Sequence, residues 1–107
     1  LAGGLICEVV AQDELLNRAK EIALSMTANS SPVSISLTRQ MLWRMLGADH
    51  PMEAHKVDSK AIYGRGRQSD AKEGVVSFLE KRPAEFKDSP SKDMPDFYPW
   101  WDEREYK

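Results

Sequence analysis

Prolines and glycines divide most of this sequence into stretches in which apolar residues recur at spacings of three and four. That spacing places apolar side chains on one side of an α-helix, so it predicts a helical protein. The stretches begin at Asp13, Ser31-Pro32, His50-Pro51 and Asp70. Asp13 and Ser31 are predicted N-caps, and a proline at the first helical position loses no hydrogen bond. We therefore expect an all-α fold of three longer helices and one short one.

Two segments lie outside this helical pattern. Residues 5–10 form a short β-type run that predicts a strand, and we expect its partner strand in preceding sequence. The chain lacks a starting Met and begins within an apolar run, which indicates part of a longer protein. From Asp88 onward the sequence is polar and rich in proline. The expected organisation is a strand stub over 1–12, a helical domain over 13–88 and a Pro/aromatic tail over 89–107.

The second helix and the tail are the most apolar parts of the pattern. Val33, Leu37 and Met41 line one side of the helix, and further apolar positions predict burial on more than one side. The tail holds Phe-Tyr-Pro-Trp-Trp at 97–101, a cluster that is unfavourable in water. We expect it to dock on the protein body or on a neighbouring subunit, with recruitment of a protein partner as an alternative.

Composition limits the classes of partner and compartment. The net charge is -2, without the basic excess typical of nucleic-acid-binding proteins. No apolar run approaches the ~18 residues of a membrane span. The single cysteine, Cys7, cannot form an intramolecular disulfide and favours a reducing, cytoplasmic setting. We expect neither nucleic acid nor a membrane span.

Several titratable residues have simple structural explanations. His50 and His55 lie five positions apart, on different helix faces, so a shared metal ion is not expected. Cys7, within an apolar run, is interpreted as a small buried hydrophobe rather than a nucleophile. Asp70 and Glu73 fit a capping box, which we favour over general acid–base catalysis.

Two further patterns leave a ligand-binding alternative open. The stretch 64–67, Gly-Arg-Gly-Arg, is predicted to end the third helix near Tyr63 and to form a solvated loop, although its guanidinium groups could hold a phosphate. Phe78 and Lys81 are three apart and share a helix face. An apolar ring beside a cation suits a ligand that is apolar at one end and phosphorylated at the other. Spacing alone favours a core Phe and a solvated Lys.

Four segments, taken in order, resemble a known family. Residues 4–10 read Gly-Leu-Ile-Cys-Glu-Val-Val, 31–34 read Ser-Pro-Val-Ser, and Leu15, Ala19 and Ala23 lie on the helix between them. Residues 70–82 read Asp-Ala-Lys-Glu-Gly-Val-Val-Ser-Phe-Leu-Glu-Lys-Arg. They resemble the enoyl-CoA hydratase/isomerase (crotonase) superfamily, whose signature is Asp-x-x-Glu-Gly-x-x-Ala-Phe-x-Glu-Lys-Arg. The resemblance covers roughly residues 4 to 88.

The resemblance implies a fold and a substrate class. In this superfamily an N-terminal spiral of ββα units precedes a C-terminal helical region that drives trimer formation. The substrate is an acyl-CoA thioester, so coenzyme A is part of the substrate and no separate cofactor is expected. The oxyanion-hole N–H groups and catalytic glutamates belong to the N-terminal region, so no catalytic residue is assigned here. A homo-oligomer, trimer or hexamer, is expected.

The resemblance also reverses the preference at Phe78 and Lys81. The matching Phe lines the acyl-CoA site, and the matching Lys reaches a CoA phosphate, typically in a neighbouring subunit's site. Phe78 and Lys81 are thus the expected substrate-binding residues of the C-terminal portion of an acyl-CoA enzyme. The alternative is a stand-alone helical assembly module without catalysis. Cys7, Ser77 and the long tail depart from the family pattern.

Overall fold

The computed structural model describes residues 2–106 and contains four α-helices within that range. They are α1 (Leu15–Thr27), α2 (Pro32–Met45), α3 (Pro51–Gly66) and α4 (Ser69–Glu80). Helix α3 packs between α2 and α4. The all-α expectation is confirmed, and the described residues form no strand. The boundaries at 12/13 and 88/89 stay predictions.

Proline starts α2 and α3 as the sequence predicts. Pro32 and Pro51 each lie at the first helical position, where a missing N–H leaves no helical acceptor unpaired. The Nδ1 atom of His50 caps α3 by accepting the backbone N–H of Met52 at 3.0 Å. Ser31 occupies the N-cap position of α2, but its hydroxyl makes no capping bond. That hydroxyl donates instead to the carboxylate of Asp70 on α4.

The other two predicted caps are wrong. Helix α1 begins at Leu15 with Glu14 at the cap position, and Asp13 lies outside it. Helix α4 begins at Ser69 with Gln68 at the cap position, so Asp70 lies within the first turn. The carboxylate of Asp70 accepts hydrogen bonds from a distant segment instead, which local sequence rules do not anticipate.

Residues 5–10 do not form the predicted strand. A strand needs a hydrogen-bonded partner, and the part of the chain that the structure describes supplies none. Leu5 is 94% exposed, and Cys7 is exposed rather than buried as the sequence pattern suggested. The β propensity of this run is therefore not realised in this chain.

The core lies between α2, α3 and the tail. Val33, Leu37 and Ala61 are buried, with Leu37 only 2% exposed. Partly buried side chains surround them, four of which come from the tail: Met41, Met94, Phe97, Tyr98 and Trp100. The tail thus docks on the protein body. Burial of α2 on more than one side is wrong for this chain, since Leu42 and Leu46 are exposed.

Aromatic contacts hold the tail together. Trp101 meets Tyr98 and Trp100 edge-on, with ring centroids 5.2 Å and 4.8 Å apart. The guanidinium of Arg44, on α2, lies 4.0 Å from the centroid of the Trp101 ring. Such edge-to-face and cation–π contacts favour one fixed arrangement of the rings.

Helix α1 differs from the other three helices because it has no buried residue. Its larger apolar side chains are exposed: Leu15, Leu16, Ile22, Leu24 and Met26. Within residues 2–106, no helix is long and apolar enough to cross a lipid bilayer.

Candidate functional site

Phe78 and Lys81 meet at the C-terminal end of α4. The Nζ atom of Lys81 lies 4.2 Å from the centroid of the Phe78 ring. The Phe78 side chain is 71% exposed, so it is not a core residue in this structure. The two side chains lie together as the spacing predicted, although Lys81 follows the last residue of α4 rather than lying within the helix. The ring and the cation are both exposed and open to a ligand.

The backbone at Lys81 has an unusual conformation. Lys81 follows the last residue of α4 with φ of 56° and ψ of 36°, in the left-handed region. Residues other than glycine adopt this region rarely. The N–H of Arg82 donates to the carbonyl of Ser77 at 3.1 Å, and that of Lys81 donates to the carbonyl of Phe78 at 3.3 Å. These bonds end the helix in the way that a C-terminal glycine usually does.

The next residue, Arg82, is held by carboxylates of α4. Its Nη1 and Nη2 atoms donate to the two carboxylate oxygens of Glu73 at 2.6 Å and 2.9 Å. Its Nε atom donates to Glu80 at 2.7 Å. Glu73 also accepts the backbone N–H of Glu85 at 2.8 Å. The hydrogen bonds from Arg82 and then from Glu85 lower the pKa of Glu73 to about 2.

This pKa shift predicts a pH dependence of stability. A carboxylate whose pKa is lower in the folded protein than in the unfolded chain stabilises the fold. For Glu73 this stabilisation is fully present above about pH 4.5, its ordinary pKa, and is lost as the pH falls through about 2. Between the parent and Glu73→Gln, we expect the difference in free energy of unfolding to be constant above pH 4.5 and to shrink toward pH 2. Urea denaturation at stepped pH measures it. A difference that stays constant through the acid range contradicts the prediction.

A groove borders Phe78. It has a volume of about 590 Å³ and lies between the N-terminal end of α2 and α4. Its lining combines apolar side chains, hydroxyl groups and the Arg65–Asp70 ion pair, and includes Ser30, Ser34, Val75, Phe78, Leu79 and Phe86. The Lys81 ammonium lies over a ring that lines this groove. Apolar, hydroxyl and cationic groups are therefore all available to one elongated ligand.

A polar network that includes the groove-lining residues Ser31, Arg65 and Asp70 is buried between α2, α3 and α4. Asp70 is 3% exposed and accepts the Ser31 hydroxyl at 2.6 Å. It also accepts the backbone N–H groups of Lys87 at 2.8 Å and Asp88 at 3.2 Å. The Arg65 Nη2 atom lies 3.6 Å from Asp70 and 2.7 Å from the Asp88 carboxylate. Burial raises the pKa of Asp70, but these hydrogen bonds and the charge of Arg65 outweigh it, so the pKa lies below its ordinary value.

This network corrects the prediction for residues 64–67. Helix α3 continues to Gly66, and Arg65 is buried rather than part of a solvated loop. A charged side chain is buried only where it is paired, and two carboxylates pair Arg65. Those carboxylates already neutralise Arg65, so it is not available to hold a phosphate, whereas Arg67 is exposed and donates to the Tyr63 hydroxyl at 2.6 Å. A signal was present: Arg65 follows Ala61 by four positions and thus extends the buried side of α3.

The histidines and the cysteine contribute no further site. His50 serves as the cap of α3, and His55 is exposed. Among residues 2–106, no three His, Cys, Asp or Glu side chains lie together as metal ligands would.

Comparison with known proteins decides the family. The family model described as enoyl-CoA hydratase/isomerase matches residues 1–89. The chain belongs to the enoyl-CoA hydratase/isomerase family. The buried Asp70, the Glu73–Arg82 pair and the Phe78–Lys81 pair all lie within the matched residues. Within the tail, residues 90–107 lie outside the match, although they supply Met94, Phe97, Tyr98 and Trp100 to the core.

Individual members of the family are similar over most of this chain. Enoyl-CoA hydratase AFT3-1 of Alternaria alternata is 41% identical over 90 residues, which cover 83% of this chain and 30% of that protein. The short-chain-enoyl-CoA hydratase of Clostridium acetobutylicum is 35% identical over 82 residues, covering 77% of this chain and 31% of that protein. The chain thus spans about a third of the length of these curated relatives.

Proposed function

We propose that this chain forms one wall of a coenzyme A site in an enzyme that acts on acyl-CoA thioesters. The observation that carries the proposal is the Phe78–Lys81 pair beside the groove, with the ammonium 4.2 Å from the ring centroid. Membership in the enoyl-CoA hydratase/isomerase family supports this ligand. The reaction would be addition of water across, or migration of, a double bond next to the thioester.

The chemistry of the pair fits the two ends of such a ligand. The exposed Phe78 ring offers a flat apolar surface to the acyl or pantetheine portion. The Lys81 ammonium acts as a point charge that binds a phosphate from several directions. Among the described residues, Lys81 forms no ion pair within the chain, so its charge is available to an anion.

Catalysis itself is not assigned to this chain. Of the residues that match the family signature, only Phe78 and Lys81 are proposed to bind substrate. The resemblance implies that the groups that stabilise the thioester enolate come from the N-terminal region of such enzymes. No separate cofactor is proposed, because coenzyme A is a part of the substrate.

A contribution to subunit assembly is the second part of the proposal. Helix α1 exposes five large apolar side chains and has no buried residue, and exposed apolar surface of this kind marks interaction sites. We infer that α1 packs within a trimer or hexamer. A stand-alone assembly module would use the same surface without binding CoA. Light scattering measures the assembly that both roles share, and calorimetric titration with CoA separates them, because only the enzyme role requires CoA binding.

The proposed compartment is the cytoplasm. The free thiol of Cys7 supports it, because disulfides are rare there.

Substitution of Lys81 tests the ligand proposal. Lys81→Met in the full-length protein is expected to raise the Kd for CoA by about tenfold or more, because a hydrogen bond to a charged group is lost. Phe78→Ala is expected to weaken binding as well, through lost apolar contact. Calorimetric titration with CoA measures both, and added salt is expected to weaken the parent more than Lys81→Met, because phosphate contacts are screened.

Lys72 of α4 provides a matched control. It is exposed, and its position six residues before Phe78 places it about 120° away around the helix, on a different face. Lys72→Met is expected to leave CoA affinity near that of the parent. Equal affinity of Lys81→Met, Phe78→Ala and the parent contradicts the proposed site.

A further inference from the structure

Lys81 is held in its left-handed conformation from both sides. The preceding helix ends on two backbone hydrogen bonds from Lys81 and Arg82. The following residue, Arg82, is fixed by the two-point contact with Glu73 at 2.6 Å and 2.9 Å, which we term the Glu73–Arg82 clamp. A rarely populated backbone conformation persists only where its surroundings determine it, and such residues cluster at functional sites.

The clamp also closes the turn that follows. Glu73 accepts the N–H of Glu85, and the Arg82 Nη1 atom donates to the carbonyl of Pro83 at 3.1 Å. One carboxylate of α4 therefore fixes residues on the far side of Lys81. These contacts on both sides of Lys81 restrain its backbone in the left-handed region.

The two cationic residues of this turn, Lys81 and Arg82, have different partners. Arg82 is neutralised by the carboxylates of Glu73 and Glu80. Lys81 lies next to it and, within residues 2–106, has no carboxylate partner; its ammonium lies over the Phe78 ring instead. Arg82 thus has a structural contact, whereas Lys81 keeps its charge for a ligand.

We propose that Glu73 and Arg82 are positioning residues that aim the Lys81 ammonium at a phosphate of the bound ligand. This inference rests on the proposed CoA role of Lys81. The clamp acts through the backbone of residues 81–85, and neither Glu73 nor Arg82 touches the ligand.

The sign of the effect separates positioning from simple electrostatics. Glu73→Gln removes the carboxylate charge that pairs with Arg82, the residue next to Lys81, and leaves that guanidinium less neutralised. Both changes favour an anion on Coulombic grounds alone. Electrostatics therefore predicts tighter CoA binding. Positioning predicts weaker binding, because Lys81 loses its fixed direction.

A double-mutant cycle on the full-length protein tests the proposal with CoA as the probe. Glu73→Gln is expected to raise the Kd for CoA at least about threefold when Lys81 is present and to change it little in the Lys81→Met background, since coupled neighbours are not additive. Arg82→Lys keeps the charge but cannot form the two-point contact, and it is expected to behave like Glu73→Gln. Glu53→Gln, which removes an exposed carboxylate paired with Lys56 on α3, is the control for net charge.

Each outcome decides between the possibilities. Equal weakening by Glu73→Gln in both backgrounds assigns the clamp a purely structural role and overturns the inference. Unchanged or tighter binding by Glu73→Gln and by Arg82→Lys overturns it too. If Lys81→Met leaves CoA binding unchanged, the proposed function fails as well. That failure is distinguishable from failure of the clamp inference, because Lys81→Met tests the first and the Glu73 and Arg82 variants test the second. Urea denaturation of each variant identifies any that does not fold. If one clamp variant, Glu73→Gln or Arg82→Lys, is unfolded, the CoA affinity of the other tests the inference.

Discussion

Leu37→Ala is expected to lower the free energy of unfolding by about 2–5 kcal/mol, as large-to-small changes in protein cores do. Leu37 is 2% exposed and lies between Val33 and Met41 on the buried side of α2. Truncation removes apolar contacts and leaves a cavity that α3 and the tail fill only in part. Urea denaturation, followed by helical circular dichroism, measures the change.

The matched control is Leu42→Ala, the same substitution on the same helix. Leu42 is 68% exposed, so its truncation is expected to cost no more than about 0.5 kcal/mol, as for surface positions. A similar cost for both variants contradicts a core centred on Leu37.

Asp70→Asn is expected to destabilise the protein by about 3–5 kcal/mol, the cost of removing one partner of a buried ion pair. The amide keeps the shape of the carboxylate but removes the charge that faces Arg65 at 3.6 Å. It also weakens the acceptor for the N–H groups of Lys87 and Asp88. Among the described residues, Asp88 is then the one carboxylate left to pair with Arg65, whose Nη2 atom also donates to the Ser31 hydroxyl at 3.1 Å. The buried Nε and Nη1 atoms of Arg65 already lack a partner there.

Asp102→Asn is the control for this change, since Asp102 is exposed in the tail. It is expected to shift stability by no more than about 0.5 kcal/mol. If Asp70→Asn is equally mild, the network does not anchor residues 87–88 to α4 as described. Thermal and urea unfolding of both variants provide the measurement.

Local rules predicted the parts of the fold that local interactions determine. Pro32 and Pro51 start helices because their rings favour helical φ and their missing N–H costs nothing there. The stripe of Val33 and Leu37 follows from helical periodicity alone. Spacing predicted that Phe78 and Lys81 lie together, but it did not predict that Lys81 follows the helix in a left-handed conformation. Their proposed role came from resemblance to a family.

Long-range contacts explain where the local rules failed. Asp70 has the pattern of a cap, but hydrogen bonds to residues 17 and 18 positions later determine its place. The stretch 64–67 has the pattern of a break, but ion pairs to Asp70 and Asp88 keep Arg65 buried on α3. Residues 5–10 have β propensity, but a strand requires a partner strand.

The most direct test of the proposed site is a crystal structure of the full-length protein with CoA bound. The measured quantity is the distance from Lys81 Nζ to the nearest phosphate oxygen of CoA in its own or a neighbouring subunit. We expect a contact of about 3 Å, typical of an ammonium on an anionic oxygen, with the Phe78 ring against the ligand. CoA bound with its phosphates far from every copy of Lys81 would contradict the account.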